Sequence, residues 1–245
     1  MNVPMIETLI AMGLVVIGAC VQSSFGFGLA IMIAPFLFML NPAYVPAPLC
    51  LLVLFISLFN TCQHAQAVDI RAIKMAIIGR IPGSAVGGVI LMLCSKPLLE
   101  LYLGSVVLLA LLMSLITRPI KPTPKMLTVA GFFSGVFGTS AAIGGPPMAL
   151  LLQHDQASSL RANLAAFFIL SSILSLIVQG MTGHLTWLHL ELTLPLLPAA
   201  WLGYQFAQRI PALKNMGSLR WPILGLCGLS GMMSICHGLV WAGML

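Results

Sequence analysis

The chain of 245 residues is 60% hydrophobic and only 7% charged, with a mean hydropathy of +1.07 and a formal net charge of +6. Soluble globular chains carry roughly 25% charge, so this composition is that of a polytopic membrane protein with nearly all of its length in the bilayer. No polar loop is long enough to hold a soluble catalytic or nucleic-acid-binding domain, and the basic balance speaks of loop topology before partners.

Hydrophobic runs fall near 5–40, 44–63, 73–94, 98–117, 126–153, 161–181, 188–207 and 221–243. Most are about 20 residues long, one bilayer crossing as a helix. The fold expected is therefore an all-α polytopic membrane protein of about eight hydrophobic helical segments. In the first run, Ile17 to Cys20 (IGAC) has the look of a lipoprotein cleavage box, but the stretch before it holds Glu7 and no Lys or Arg, so no cleavage is expected. The same run carries Ser-Ser-Phe-Gly-Phe-Gly at 23–28 and Pro35, an interruption that lipid alone cannot tolerate, because every backbone polar group there needs an internal partner. The third run holds Gly79, Gly83 and Gly87 with Arg80 and Pro82 between them. The fifth run, long like the first, is broken by Gly138-Thr-Ser-Ala-Ala-Ile-Gly-Gly-Pro-Pro147. Trp221 and Trp241 bracket the last run, about 30 Å apart at a helical rise, which matches the hydrocarbon thickness. The six cysteines have no CxxC spacing and fall mostly in apolar runs, where they act as small hydrophobes; neither a metal site nor a cofactor is expected.

Charge gives the topology. If all eight runs cross, one face holds Arg71, Lys74, Arg80, Arg118, Lys121 and Lys125, the other Lys96, Arg161, Arg209, Lys214 and Arg220, and no orientation emerges. If runs one and five instead enter, break and return, one face collects all of the 11 basic residues except Lys96. That face is then cytoplasmic and both termini lie outside. A hairpin plus three crossings is an odd unit, so its second copy must be inverted: residues 1–120 and 121–245 form two four-segment inverted repeats in one membrane domain. When Ser23 is laid over Gly135, Phe25 meets Phe137, Gly26 meets Gly138 and Pro35 meets Pro147.

Helices that break at mid-depth expose N–H groups and a partial positive charge, a ready site for an anion. The residues expected to line it are Gln22, Ser23, Ser24, Gly26, Gly28, Gly138, Thr139, Ser140, Gly144 and Gly145, with Pro35, Pro146 and Pro147 at the starts of the half-helices. Gly131 and the Gly79, Gly83, Gly87 ladder have the small-xxx-small spacing of close helix packing. Arg80 is a candidate counter-ion, with snorkelling to the cytoplasmic interface as the alternative. Asn60, Asn163 and Gln179 read as interhelical glue or as support for the site. Glu7, Asp69, Glu100, Asp155 and Glu191 all fall near run ends, which disfavours a cation pump built on a midplane carboxylate.

In these residues the chain resembles the TauE/SafE sulfite exporter (TSUP) family of permeases. The resemblance rests on Gln22, Phe25, Gly26, Gly28 and Pro35, then on Gly131, Ser134, Gly135, Gly138, Thr139, Ser140, Gly144, Gly145, Pro146 and Pro147, and on run spacing over nearly the whole length. Many members have three consecutive glycines in each motif; this chain has Gly-Phe-Gly-Leu-Ala and Gly-Thr-Ser-Ala-Ala-Ile-Gly-Gly. The resemblance implies movement of small organosulfur or organic anions, of the sulfite, sulfonate or sulfoacetate type, across a bacterial inner membrane. The expectation is thus a secondary transporter that is not an enzyme, whose partners are the anion and membrane lipid, not nucleic acid, with homo-oligomerisation open. A passive anion channel is the alternative, and an intramembrane hydrolase with Ser140 as nucleophile is a remote one, lacking GxSxG or HExxH.

Overall fold

The computed structural model describes residues 5–116, 122–209, 216–241 and 243. Arg118, Lys121 and Lys214, the 120/121 repeat boundary and the two chain ends lie outside the described residues. Among those described there is no strand; there are α1 (Met5–Phe25), α2 (Leu29–Leu40), α3 (Ala47–His64), α4 (Ile70–Leu93), α5 (Lys96–Leu115), α6 (Pro124–Ala141), α7 (Gly145–Leu152), α8 (Ala157–Met181), α9 (Trp187–Thr193), α10 (Leu196–Arg209) and α11 (Met216–Trp241). Six helical stretches are long and apolar enough to cross a membrane. Their outer faces carry large exposed apolar side chains such as Leu9, Ile17, Val89, Leu112, Ile177 and Leu229, an arrangement suited to lipid and not to water. This is a multi-pass membrane protein.

Runs one and five are each two helices. α1 ends at Phe25 and α2 starts at Leu29; α6 ends at Ala141 and α7 starts at Gly145. In both the chain turns back at the break. A side chain at Gly18 would touch Leu29 and Ile33, and the Ser134 hydroxyl donates to the Gly144 carbonyl at 2.5 Å, whereas ten residues of straight helix would separate them by about 15 Å. The turns share a pattern: a residue with positive φ (Gly26 at 87°, Ala142 at 61°), an apolar residue (Phe27, Ile143), then a glycine that caps the next helix (Gly28, Gly144). The register differs from the sequence match by one helical turn, since Gly28 corresponds to Gly144 and not to Ser140. Pro35 accordingly lies inside α2 and not at its start. Its missing N–H leaves the Ile31 carbonyl without the usual donor. Pro146 and Pro147 do fall in the first turn of α7.

The seventh run also divides, which the sequence reading does not anticipate. Pro195 and Pro198 cannot donate to the carbonyls of Glu191 and Leu194, and the helix breaks between Thr193 and Leu196. α4, by contrast, runs unbroken through Pro82 and starts early, because Asp69 caps it by accepting from the N–H groups of Arg71 (2.9 Å) and Ala72 (3.2 Å). Asn163 of α8 fixes this start by accepting from the Asp69 N–H at 2.6 Å.

α4 packs on α6, α1 on α10, α5 on α11 and α3 on α8. The α4–α6 seam is the closest. A Cβ at Gly79 or Gly83 would strike the carbonyl of Thr128 or Phe132, and one at Gly131 the carbonyl of Ala76, so the small-residue ladder is a packing seam. In the α1–α10 seam Gly203 meets the Val16 carbonyl in the same manner.

Candidate functional site

The α4–α6 seam carries Arg80 into the interior. It stands ten residues into a helix that begins at Ile70, about 15 Å along its axis, and is 1% exposed. Snorkelling to an interface is therefore excluded. The apparent start of the run at residue 73 made Arg80 look shallower than it is.

The guanidinium is held by neutral oxygens from two helices. Nη1 donates to the Ser134 carbonyl and to Ser134 Oγ (2.8 Å), and Nη2 donates to the Ser171 carbonyl (3.1 Å) and to Ser175 Oγ (2.7 Å). Its Cζ lies 5.9 Å from the centre of the Phe167 ring, a weak attraction. Nε is buried without a partner. The contact between an acidic and a basic side chain among the described residues is Glu100 with His237, so no described carboxylate neutralises Arg80. Two glycines make room for it, since a Cβ at Gly138 would lie 2.6 Å from Nη1 and Nη2, and one at Gly144 would lie 2.7 Å from Nη1.

The broken end of α6 is stabilised from outside. Its last carbonyls have no donor of their own; Gln179 Nε2 of α8 donates to the Thr139 carbonyl at 2.8 Å, and the Cys50 thiol of α3 faces the Gly138 carbonyl at 3.6 Å. Gln179 is thus interhelical glue that holds the break in place. Ser134 joins the cation to the second helix, accepting from Arg80 and donating to Gly144, the cap of α7.

Beside the guanidinium is a cavity of about 30 Å³, walled by both breaks: Gln22, Phe27, Gly28 and Ile31 from one, Gly138 and Ala142 to Gly145 from the other, with Arg80, Cys50 and Ser171, Ser172 and Ser175 completing it. The breaks also touch each other, because a Cβ at Gly145 would lie 3.2 Å from Phe27 Cβ. Of the residues expected at the site, Gln22, Gly28, Arg80, Gly138, Gly144 and Gly145 come together here. Gln22 Nε2 is buried without a partner.

The others stand back from the cavity. Ser24 donates to the Cys20 carbonyl at 2.8 Å on its own helix. Ser140 donates to the Val136 carbonyl at 2.6 Å and lies 2.9 Å from the Tyr102 hydroxyl. Thr139 Oγ1 is 3.0 Å from Ser175 Oγ and so supports a group that holds Arg80. Gly26 packs on Arg161 and Leu164, and the buried Ser23 Oγ has no partner. The sequence reading missed Cys50, Phe27, Ser171, Ser172 and Ser175. Ser171, Ser175 and Gln179, four residues apart, with Ser172 beside the first, form a polar stripe along the otherwise apolar second half of α8, and that stripe was a readable signal.

The sulfite exporter TauE/SafE family model matches residues 9–234. The chain belongs to that family. It is thus a member of a family of membrane transporters, and the cavity lies where the breaks of runs one and five meet Arg80, the most deeply buried cation among the described residues. No curated protein and no solved structure matches the chain.

The electrostatics of this TauE/SafE site are one-sided. α2 begins at the cavity with the N–H groups of Leu29, Ala30 and Ile31 outside the helical ladder, whose first bond is from Met32 to Gly28. α7 contributes less, because Pro146 and Pro147 have no N–H. A guanidinium, an amide and a helix N-terminus around a small volume all favour an oxyanion.

Proposed function

We propose that this protein is a secondary transporter of small oxyanions, organosulfur or organic, which bind between the two helix breaks against Arg80. The observation that carries the reading is a fully buried guanidinium whose hydrogen bonds end on neutral oxygens and whose Nε is unpaired, beside a cavity. An uncompensated buried ion costs several kcal/mol, on the order of what a matching anion returns. The cavity volume of about 30 Å³ is that of one or two water-sized groups. It suits a small headgroup, and even that requires the walls to yield, as alternating access does.

The inverted-repeat reading has support in the pairing of helices. α1 with α10 is matched by α6 with α4, α2 with α11 by α7 with α5, and α1 with α2 by α6 with α7, while α3–α8 and α5–α11 each pair an element with its own counterpart. That is the contact scheme of two copies related by a two-fold axis. The inner membrane location rests on the family resemblance, and the outward termini on the distribution of lysine and arginine. The copies differ where it matters: three residues before Gly83 stands Arg80, and three before Gly203 stands Ala200. One repeat brings the charge.

The test is uptake by purified protein in proteoliposomes against a panel of sulfite, methanesulfonate, sulfoacetate and acetate. Saturable uptake with counterflow for at least one anion is the expected result. Failure to move any of them would sink the proposal, and flux without saturation or counterflow would make the protein a channel.

A further inference from the structure

A second ionisable pair lies outside the anion site. Glu100, the fifth residue of α5, is fully buried. Its Oε1 lies 2.8 Å from Nδ1 of His237, whose side chain is about half exposed. Its Oε2 is buried without a partner, and Ser234 donates to its backbone carbonyl at 3.0 Å. The sequence places Glu100 near a run end, where a carboxylate would be solvated; the packing of α5 on α11 takes it out of water instead.

The charged and titratable groups around it are few. α5 itself carries Lys96 and Tyr102, α11 carries His237 and Cys236 and, nearer its start, Cys227 and Arg220, α2 and α7 carry none, and α6 has only Lys125 near its opposite end. His237 is thus the titratable group in contact with the buried carboxylate, and its own side chain reaches the protein surface. Two residues further along α5, the Tyr102 hydroxyl meets Ser140 Oγ at 2.9 Å, and Ser140 is followed by Ala141, the last residue of α6 before the break that walls the anion cavity. The first turns of α5 therefore touch both the pair and the broken helix.

We propose that Glu100 is the proton-binding residue that couples anion movement to a proton, with His237 as its relay to water. Glu100 is a fully buried carboxylate with one oxygen that no protein group partners and the other on a histidine that reaches the surface, and an ionisable residue held inside a membrane bundle is suited to that task. The step is proton binding and release alone: carboxylate plus proton gives the neutral acid, and no other bond changes. The inference rests on the transporter reading.

The experiment uses proteoliposomes with an internal pH dye and methanesulfonate, which stays ionised near neutral pH and carries no proton itself. Wild type is expected to acidify or alkalinise the lumen as the anion moves down its gradient. Glu100→Gln is expected to lose that proton flux while methanesulfonate counterflow persists. His237→Asn, whose amide can still donate to the carboxylate but does not titrate, is expected to slow proton flux and leave counterflow unchanged; equal losses in both would mark the pair as merely structural. Wild type that moves the anion without protons, or Glu100→Gln that still moves both, overturns the coupling role and leaves the anion site standing. If no panel anion exchanges at all, the transporter reading fails and the coupling falls with it.

Discussion

Ala142 has φ of 61°, and it is the one non-glycine residue with positive φ among those described. A left-handed backbone costs an L-residue about 1–2 kcal/mol, and Gly26, at the corresponding position of the other break, is spared that cost. Ala142→Gly is therefore expected to raise thermal stability by up to about 1 kcal/mol, after the entropy glycine loses on folding is subtracted. A lowered melting temperature would show that the Ala142 methyl, buried in the cavity wall, outweighs the strain. At this scale the sequence was only partly legible. Arg80 was visible as a charge inside a membrane run, but its depth depended on Asp69 capping the helix from residue 70, and polar runs hide such a start. The glycines Gly138 and Gly144 were legible as special; that they make room for a guanidinium from another helix was not, because Arg80 is distant in sequence.

Among helices, the α4–α6 seam sets where Arg80 points, so its glycines are structural supports of the site. Gly83→Ala forces a Cβ into the Phe132 carbonyl, and overpacking of this kind typically costs about 1–3 kcal/mol. Gly13→Ala supplies the control, since nothing lies within 4 Å of its added methyl and alanine favours the helix by up to about 1 kcal/mol. Melting curves in detergent are expected to show a loss for the first and no loss for the second; equal behaviour would mean that the seam can open without cost. Element boundaries followed the sequence where charge and proline mark them, and failed where two prolines acted together at 195 and 198. The one-turn register error between the breaks has a similar cause. Phe-Gly recurs at 25–26 and 137–138, but in α6 the helix runs on past it to Ala141 because Gln179 and Cys50 satisfy its last carbonyls from other helices, a tertiary effect that no local pattern contains.

In the whole molecule, two broken helical runs meet at a cavity, and α4 brings there a cation that nothing in the described protein neutralises. The membrane class and the two broken runs were legible from composition and run lengths, which report on the bilayer directly. The place of Arg80 between them was not, since its guanidinium reaches the cavity only through the packing of α4 on α6. If an anion completes the charge of Arg80, it must stabilise the entire fold, by about 2.7 kcal/mol at one hundred times its dissociation constant. The decisive measurement is therefore the melting temperature of the intact protein as sulfite, methanesulfonate, sulfoacetate or acetate is added, for wild type, for Arg80→Gln, and for Arg71→Gln as an exposed control. At least one anion is expected to raise the melting temperature of wild type and of the control in a saturable manner and to leave Arg80→Gln unmoved. An anion-dependent rise of equal size in Arg80→Gln would contradict the assignment of the site.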